Sequence, residues 1–233
     1  MIKLFRTLFF FFPESVFGPF YFELKSFLGR LFQPRFKVDP SKRNLVNLGC
    51  GPIIIEGMIN IDFFFEKNID YGLDLRYPIK IDDNCIDGIV SEHTFEHLKF
   101  EDNKRVFKEC HRILKPGGVF RVCVPDVSKY IMAYANNDKE WMDTWEDVHF
   151  TNSTNAKLRK MKLRTRMEAV SFIVQEWGHI SAWDEETLKY YLLESGFSKV
   201  EGKKFREGKI PELLLDMDKD SRKNYSVYVE AYK

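Results

Sequence analysis

Leu45-Val46-Asn47-Leu48-Gly49-Cys50-Gly51-Pro52 is the stretch on which the fold turns. A short apolar strand runs into a glycine turn, where the missing side chains let the backbone bend tightly and approach a ligand. A dinucleotide-binding turn would place a third glycine three residues after the second. Ile54 stands there instead, which disfavours a nicotinamide or flavin dehydrogenase. Met58 to Asp62 reads as the next short strand, and it closes on an acid that can accept hydrogen bonds from both hydroxyls of a ribose.

Outward from this pair, strands and helices alternate, the pattern of a mostly parallel sheet with helices on its faces. Ile86 to Val90 is strand-like after the turn Asp82-Asp83-Asn84. Phe100 to Leu114 spaces Val106, Phe107, Cys110, Ile113 and Leu114 along one helical face. Lys115-Pro116-Gly117-Gly118 stops that helix, because proline cannot continue it and glycine accepts a left-handed turn. Val119 to Val124 follows as a strand. Asp184 caps a helix over Glu185 to Glu194, Gly196 ends it, and strand-like pieces follow at Lys199 to Phe205 and Ser226 to Tyr232.

Read in order, Asn47-Leu48-Gly49-Cys50-Gly51, Ile61-Asp62, Leu73-Asp74-Leu75, Ile86-Asp87-Gly88-Ile89-Val90, Glu96-His97-Leu98 and Leu114-Lys115-Pro116-Gly117-Gly118 resemble the ordered motifs of class I S-adenosylmethionine-dependent methyltransferases, of the type 11 kind. The resemblance runs from about Leu45 to Lys233 and includes Leu192-Leu193-Glu194-Ser195-Gly196-Phe197. It implies a Rossmann-like sheet with an antiparallel last strand, and S-adenosyl-L-methionine as cofactor. It also implies that Asn47, Leu48, Gly49, Cys50 and Gly51 face the methionine moiety, that Asp62 with Phe63 holds the ribose side, and that Asp74 with Leu75 lies by the adenine. Ser91, Glu92 and His93 would border the transferring methyl. His93 and His179 are the candidate bases, and the implied chemistry requires no metal.

Two features depart from the family pattern. Many members carry an acid where Asn47 stands. Only residues 52 to 57 separate the glycine turn from the second strand, whereas a helical crossover takes about a dozen residues. The first helix must be reduced to a turn, as in compact members of the family. The implied reaction is methyl transfer to an acceptor that the sequence does not name, a small molecule or a saccharide- or lipid-linked group. The alternatives are an inactive protein that keeps the fold for binding and, less favoured, a zinc hydrolase.

The zinc reading rests on His93-Thr94-Phe95-Glu96-His97, which fits the H-x-x-E-H pattern of helical zinc peptidases. Its place directly after a strand favours the methyltransferase series, so no zinc is expected. Lys157 to Arg166 packs six cations into ten residues, read as a solvated helix face in preference to an anion site. This run and Trp177-Gly178-His179 fall within residues 127–183, a probable substrate-side insertion.

The first 37 residues hold 11 of the chain's 22 phenylalanines, and six cations against two acids, a net charge of +4. Residues 1–42 form a Phe-rich extension to a domain over 43–233. The run Leu8 to Phe12 is far below the ~20 residues needed to span a bilayer, and no small-residue cleavage site follows it. Two readings stay open for residues 1–37: peripheral contact with a membrane surface, or helices whose aromatic face covers the domain or a second copy. Lys plus Arg, 36, nearly balances Asp plus Glu, 35, so no nucleic-acid footprint is expected over the whole surface. Cys50, Cys85, Cys110 and Cys123 are too dispersed for a disulfide framework, which suggests reduced thiols and a cytoplasmic protein.

Overall fold

The computed structural model describes residues 14–153, 155–215 and 220–233. Its seven strands are β1 (Leu45–Leu48), β2 (Ile59–Asp62), β3 (Tyr71–Gly72), β4 (Ile86–Glu92), β5 (Leu114–Pro125), β6 (Lys199–Lys203) and β7 (Ser226–Tyr232). They form one sheet in the order β3-β2-β1-β4-β5-β7-β6. The pairs from β3 to β5 are parallel, and β7 runs antiparallel to both β5 and β6. A mostly parallel sheet with an antiparallel last strand is what the sequence implied. The two-residue β3 escaped sequence reading because it is too short to show a period. Within β5, Leu114 pairs with Ile86 and Val119 with Gly88, so Lys115 to Gly118 loop out as a bulge between helix and strand.

The two faces of the sheet are covered differently. Helices α2 (Phe100–Ile113) and α6 (Glu185–Glu194) close one face through Val106, Phe107, Cys110, Leu188 and Leu192, packed against Ile89, Phe120, Val122 and Val124. On the other face the crossover helix after β1 is replaced by a turn over residues 52–57. Two buried asparagines knit that turn: the Asn47 amide donates to Ile53 O (2.9 Å) and Asn60 Oδ1 (3.2 Å), while Asn60 Oδ1 also accepts Ile55 N–H (2.9 Å). The uncovered sheet is closed instead by the connection from β6 to β7, where Ile210, Leu213 and Leu215 pack on Leu45, Val90 and Val119. A parallel sheet needs both faces shielded, and here a loop does what a helix usually does.

That loop is pinned by an ion pair within the sheet face. Arg121 and Glu230 are wholly buried, 3.8 Å apart. Glu230 accepts Lys209 N–H at 3.0 and 3.1 Å and the Tyr232 hydroxyl at 2.8 Å, and Arg121 donates to Glu207 O at 2.7 Å.

The insertion after β5 builds its own small core. Helices α3 (Val127–Ala135), α4 (Lys139–Glu146) and α5 (Arg166–Gln175) bury Tyr130, Met142, Trp145, Phe150, Ala169, Phe172 and Ile173 together with Tyr225 of α7 (Asp220–Tyr225). The basic run is exposed, but it is not the single helix face expected. Leu158–Lys160 is one 3-10 turn, residues 161–163 lie outside any helix, and α5 starts at Arg166 behind a Thr165–Glu168 capping box. Leu158 and Leu163 anchor it to the insertion core and break its helical period.

The N-terminal extension is represented by helix α1 (Glu14–Phe32); the phenylalanine run Phe9 to Phe12 lies outside the described residues. One face of α1 is seated on the domain beside β2 and β3. Phe22 stacks on Phe63 at 4.3 Å, the Ser26 hydroxyl donates to Asp74, Lys25 pairs with Glu66, and Gln33 reaches the Tyr71 hydroxyl. Gly29 is needed here because a Cβ would run into the Phe64 ring. The opposite face leaves Phe20, Tyr21, Phe27, Leu31 and Phe32 exposed. No helix among the described residues is long and apolar enough to cross a membrane.

Candidate active site

The carboxyl ends of β1, β2 and β4 meet at the point where the strand order reverses, the place at which open α/β sheets bind ligands. A cavity of about 770 Å³ opens there, bounded by Gly49, Gly51, Asp62, Phe63, Asp74 and Leu75. Asp62 accepts the N–H groups of Gly51 and Phe63, each at 2.6 Å, one at each carboxylate oxygen. The acid therefore both shapes the glycine turn and keeps lone pairs toward the cavity. Gly51 has a left-handed φ of 52°, and the space where its Cβ would stand is open, so a ligand can approach the backbone there.

Asp74 is placed on the cavity wall, but its oxygens are already engaged. The Arg76 guanidinium donates to them at 3.0 and 2.7 Å, and Ser26 of α1 donates as well. Burial by itself would raise the carboxyl, yet the bonds from Arg76 and Ser26 outweigh it and hold Asp74 below the usual carboxylate range. Asp74 thus fixes the wall and the helix upon it, and the polar contact to a bound ligand falls to other groups.

The methionine-end residues divide. Gly49 and Gly51 reach the large cavity, while Leu48 is core. Asn47, Gly49, Cys50 and Glu92 line a smaller recess of about 100 Å³ behind the turn, which Leu215 closes. The Asn47 amide is spent on the 52–57 turn. Burial pushes the Cys50 thiol up to about 11, helped by the Asp62 charge, so it is not a nucleophile at neutral pH. Ser91 is buried on the sheet and lines neither space.

His93 and His97 border the large cavity and also a second one, of about 330 Å³, lined further by Glu96, Tyr130, His149, Trp177, His179 and Arg222. Four of the chain's five histidines thus meet in one place; the fifth, His111, packs on Phe197. The helical arrangement of His93-x-x-Glu96-His97 is not formed. His93 has φ 52°, and Phe95–His97 make a single 3-10 turn. His93 Nδ1 lies 3.1 Å from Glu96 Oε1 and its Nε2 is 2.9 Å from Ser226 Oγ. Burial lowers its value well below the ordinary one, with Arg222 and His97 adding to the effect, so the ring is neutral at pH 7. Trp177 and Gly178, both at positive φ, turn the chain so that His179 enters the cavity.

His149 carries a measurable consequence of this burial. Its ring stacks on Trp145 at 4.7 Å, Nδ1 lies 3.0 Å from Trp145 O, and desolvation pushes it down to about 4. A histidine depressed in the fold stabilises fully above its unfolded value of ~6.5 and loses that contribution as pH falls toward the folded value. The whole contribution is about 3 kcal/mol, of which about 2 kcal/mol should be lost between pH 7 and pH 5. Urea unfolding of wild type and His149→Gln at both pH values checks this; an identical pH dependence in the two proteins would remove His149 as its source.

Sequence reading found Asp62, Phe63, His93 and His179 but missed Phe22 and Pro19 of α1, Thr94, Tyr130, His149 and Arg222, all of which line one cavity or the other. Phe22 belonged to a flagged aromatic segment, but nothing local to it indicates where the helix docks.

Residues 70–122 match the family described as "Methyltransferase domain". Among solved structures, a SAM-dependent methyltransferase from Archaeoglobus fulgidus is similar at 18% identity over 91% of this chain and 94% of that one, with a TM-score of 0.47. One from Mesorhizobium loti is similar at 17% identity over 88% and 95%, with a TM-score of 0.45. A third, from Thermotoga maritima, is 16% identical over 100% and 96%, again at 0.45. No curated protein matches the chain. The chain thus carries a methyltransferase-domain match over residues 70–122, within a Rossmann-like sheet whose first crossover is a turn and whose β2 closes on an acid beside a glycine turn.

Proposed function

We propose that the protein transfers a methyl group from S-adenosylmethionine to an acceptor seated in the histidine-lined cavity. The observation that carries this reading is the meeting of the two cavities at His93 and His97, so that a molecule in each can touch the other. Bound S-adenosylmethionine supplies an activated methyl on a good leaving group. The residues fit it: Asp62 offers carboxylate oxygens to the ribose hydroxyls, Phe63 and Leu75 supply apolar wall, and Gly51 gives close backbone approach.

The protein then aligns the acceptor and accepts its proton. His93 is neutral, and its Nε2 sits beside Ser226 Oγ at the cavity junction. His179 offers a second nitrogen: its Nδ1 lies 2.6 Å from Ile173 O and so donates, which leaves Nε2 unprotonated. Tyr130, Trp177 and Arg222 suit a small molecule or the end of a glycan or lipid-linked acceptor with an aromatic-stacking or anionic part. For the exposed face of α1 we propose contact with an anionic membrane surface, supported by the solvent exposure of Tyr21, Phe27, Leu31 and Phe32.

Asp62→Ala should weaken S-adenosylhomocysteine binding by ~1–3 kcal/mol, the cost of losing a charge-assisted hydrogen bond. Because Asp62 also caps the turn at Gly51, Asp62→Asn is the companion variant and should retain part of the affinity. Calorimetry on both reads the result. Undiminished affinity in a folded Asp62→Ala protein would sink the ribose assignment, and turnover on a panel of tritium-labelled transfers separates an enzyme from a protein that only binds.

A further inference from the structure

We infer that Glu96, His97 and His179 form a site for a divalent metal ion of the zinc class, between the two cavities. The sequence reading expected no metal, because the His93–His97 motif follows directly on a strand, and the helix on which His93 and His97 would share an ion is indeed not formed. The tertiary structure replaces His93 with His179, 86 positions further along the chain, and turns the acid into a ligand.

Glu96 is 1% exposed, and neither of its carboxylate oxygens receives a well-aligned hydrogen bond. His93 Nδ1 lies 3.1 Å from Oε1 without forming an aligned hydrogen bond, and a buried carboxylate so poorly satisfied is costly; a bound cation would satisfy it. The donor atoms of Glu96, His97 and His179 all lie within 4.8 Å of one another, and His179 Nε2 is 3.9 Å from Glu96 Oε1. That last separation is no more than the sum of a zinc–nitrogen and a zinc–oxygen bond, ~2.0–2.2 Å each.

The surroundings are those of a ligand set. His179 Nδ1 is held by Ile173 O at 2.6 Å and His97 Nδ1 by Gly178 O at 3.3 Å, backbone carbonyls that orient each ring. Ile180 and Ser181 donate their N–H groups to Glu96 O at 2.8 and 3.1 Å, locking the two contributing segments together. Two imidazoles and a carboxylate suit zinc and its neighbours, and three protein ligands leave a fourth position open to the cavity. An oxygen of the acceptor is the chemistry that position would take. With the ion bound, His179 Nε2 is a ligand and no longer a proton acceptor, so that role rests on His93, which stays outside the set with Nε2 beside Ser226. Metal binding does not depend on the methyl-transfer reading and can be tested without a cofactor.

The test is titration of the chelator-stripped, full-length protein with zinc chloride in competition with a chromophoric chelator, and with cobalt(II) for its visible spectrum. One equivalent of zinc per chain and the d–d absorption of a low-coordinate cobalt site are expected. His97→Ala and Glu96→Gln should each lose roughly a hundredfold or more in affinity. His111→Ala, remote from the cluster, should bind as wild type. His97 is exposed, so its variant should keep the native far-UV spectrum, which guards against a trivial loss through misfolding. A zinc Kd weaker than about 10 µM, or wild-type affinity in folded His97→Ala and Glu96→Gln proteins, would overturn the site.

Discussion

Deletion of residues 1–32 is expected to weaken S-adenosylhomocysteine binding at least roughly tenfold and to lower the melting temperature of the domain. The helix removed supplies Gly18, Pro19, Phe22 and Glu23 to the wall of the large cavity, and its Phe22 ring covers Phe63 in a stacked pair with an interplanar angle of 9°. Such a pair contributes ~0.5–1.5 kcal/mol beyond its buried area. The loss of Ser26, Arg30 and Glu23 also strips partners from the buried Asp74 and from Arg76, at ~1–3 kcal/mol for a hydrogen bond left unmade in the interior. The sum is ~2–4 kcal/mol, divided between folding and affinity. Calorimetry and thermal unfolding of both forms read the two parts. A truncated protein with wild-type affinity would show that α1 sits beside the site without building it.

The same pair of proteins tests the membrane proposal. Lys25, Arg30 and Arg35 are tied to Glu66, Asp74 and Asp82, so charges counted in the sequence as available to lipid are partly used within the fold. The attraction should therefore come chiefly from the exposed rings, with only a modest dependence on salt. Co-sedimentation of full-length protein with anionic vesicles, lost on truncation, is the expected outcome; full-length protein left in the supernatant at low salt would end the proposal.

Glu230→Ala should cost about 1–3 kcal/mol of folding stability, because it removes the buried carboxylate that lies 3.8 Å from the Arg121 guanidinium and accepts Lys209 N–H and the Tyr232 hydroxyl. The same change frees the Lys209 N–H and Tyr232 hydroxyl that hold the β6–β7 connection on the sheet. Leu215 of that connection closes the recess behind the glycine turn, so cofactor affinity should fall as well. The double variant Arg121→Met, Glu230→Leu should recover much of the stability, since apolar residues of similar volume often replace a buried ion pair without loss. Urea unfolding of the three proteins decides; a loss below about 1 kcal/mol in Glu230→Ala would mean that the pair contributes little.

The ordered motifs made the sheet legible because each strand is a local object. Leu45–Leu48 and Ser226–Tyr232 are short, mostly apolar runs, and Asp184 announces α6 with a side chain that accepts Thr187 N–H at 2.8 Å. The brevity of residues 52–57 likewise dictated a turn, since chain length bounds what a crossover can be. Asp62 was readable as a candidate because its position depends on its neighbours in sequence, the end of a strand beside a glycine turn.

What the sequence by itself determined was therefore the class of fold, with an antiparallel last strand through family resemblance, and the acid that closes β2 at the large cavity. The destination of every segment whose partners are distant was decided only by tertiary structure. Helix α1 has aromatic side chains all round, and only the docked helix separates Phe22, stacked on Phe63, from Phe32, which is 80% exposed. The connection over residues 204–215 shows no period, yet it shields a sheet face because the crossover helix is missing and buried charges hold it there. His149 and His179, far from His93 in sequence, enter one cavity through stacking on Trp145 and the left-handed turn at Trp177 and Gly178. Local pattern encodes which face of an element is apolar; which surface it meets is set by packing and charge pairing between residues many positions apart, and no short window of sequence contains both partners.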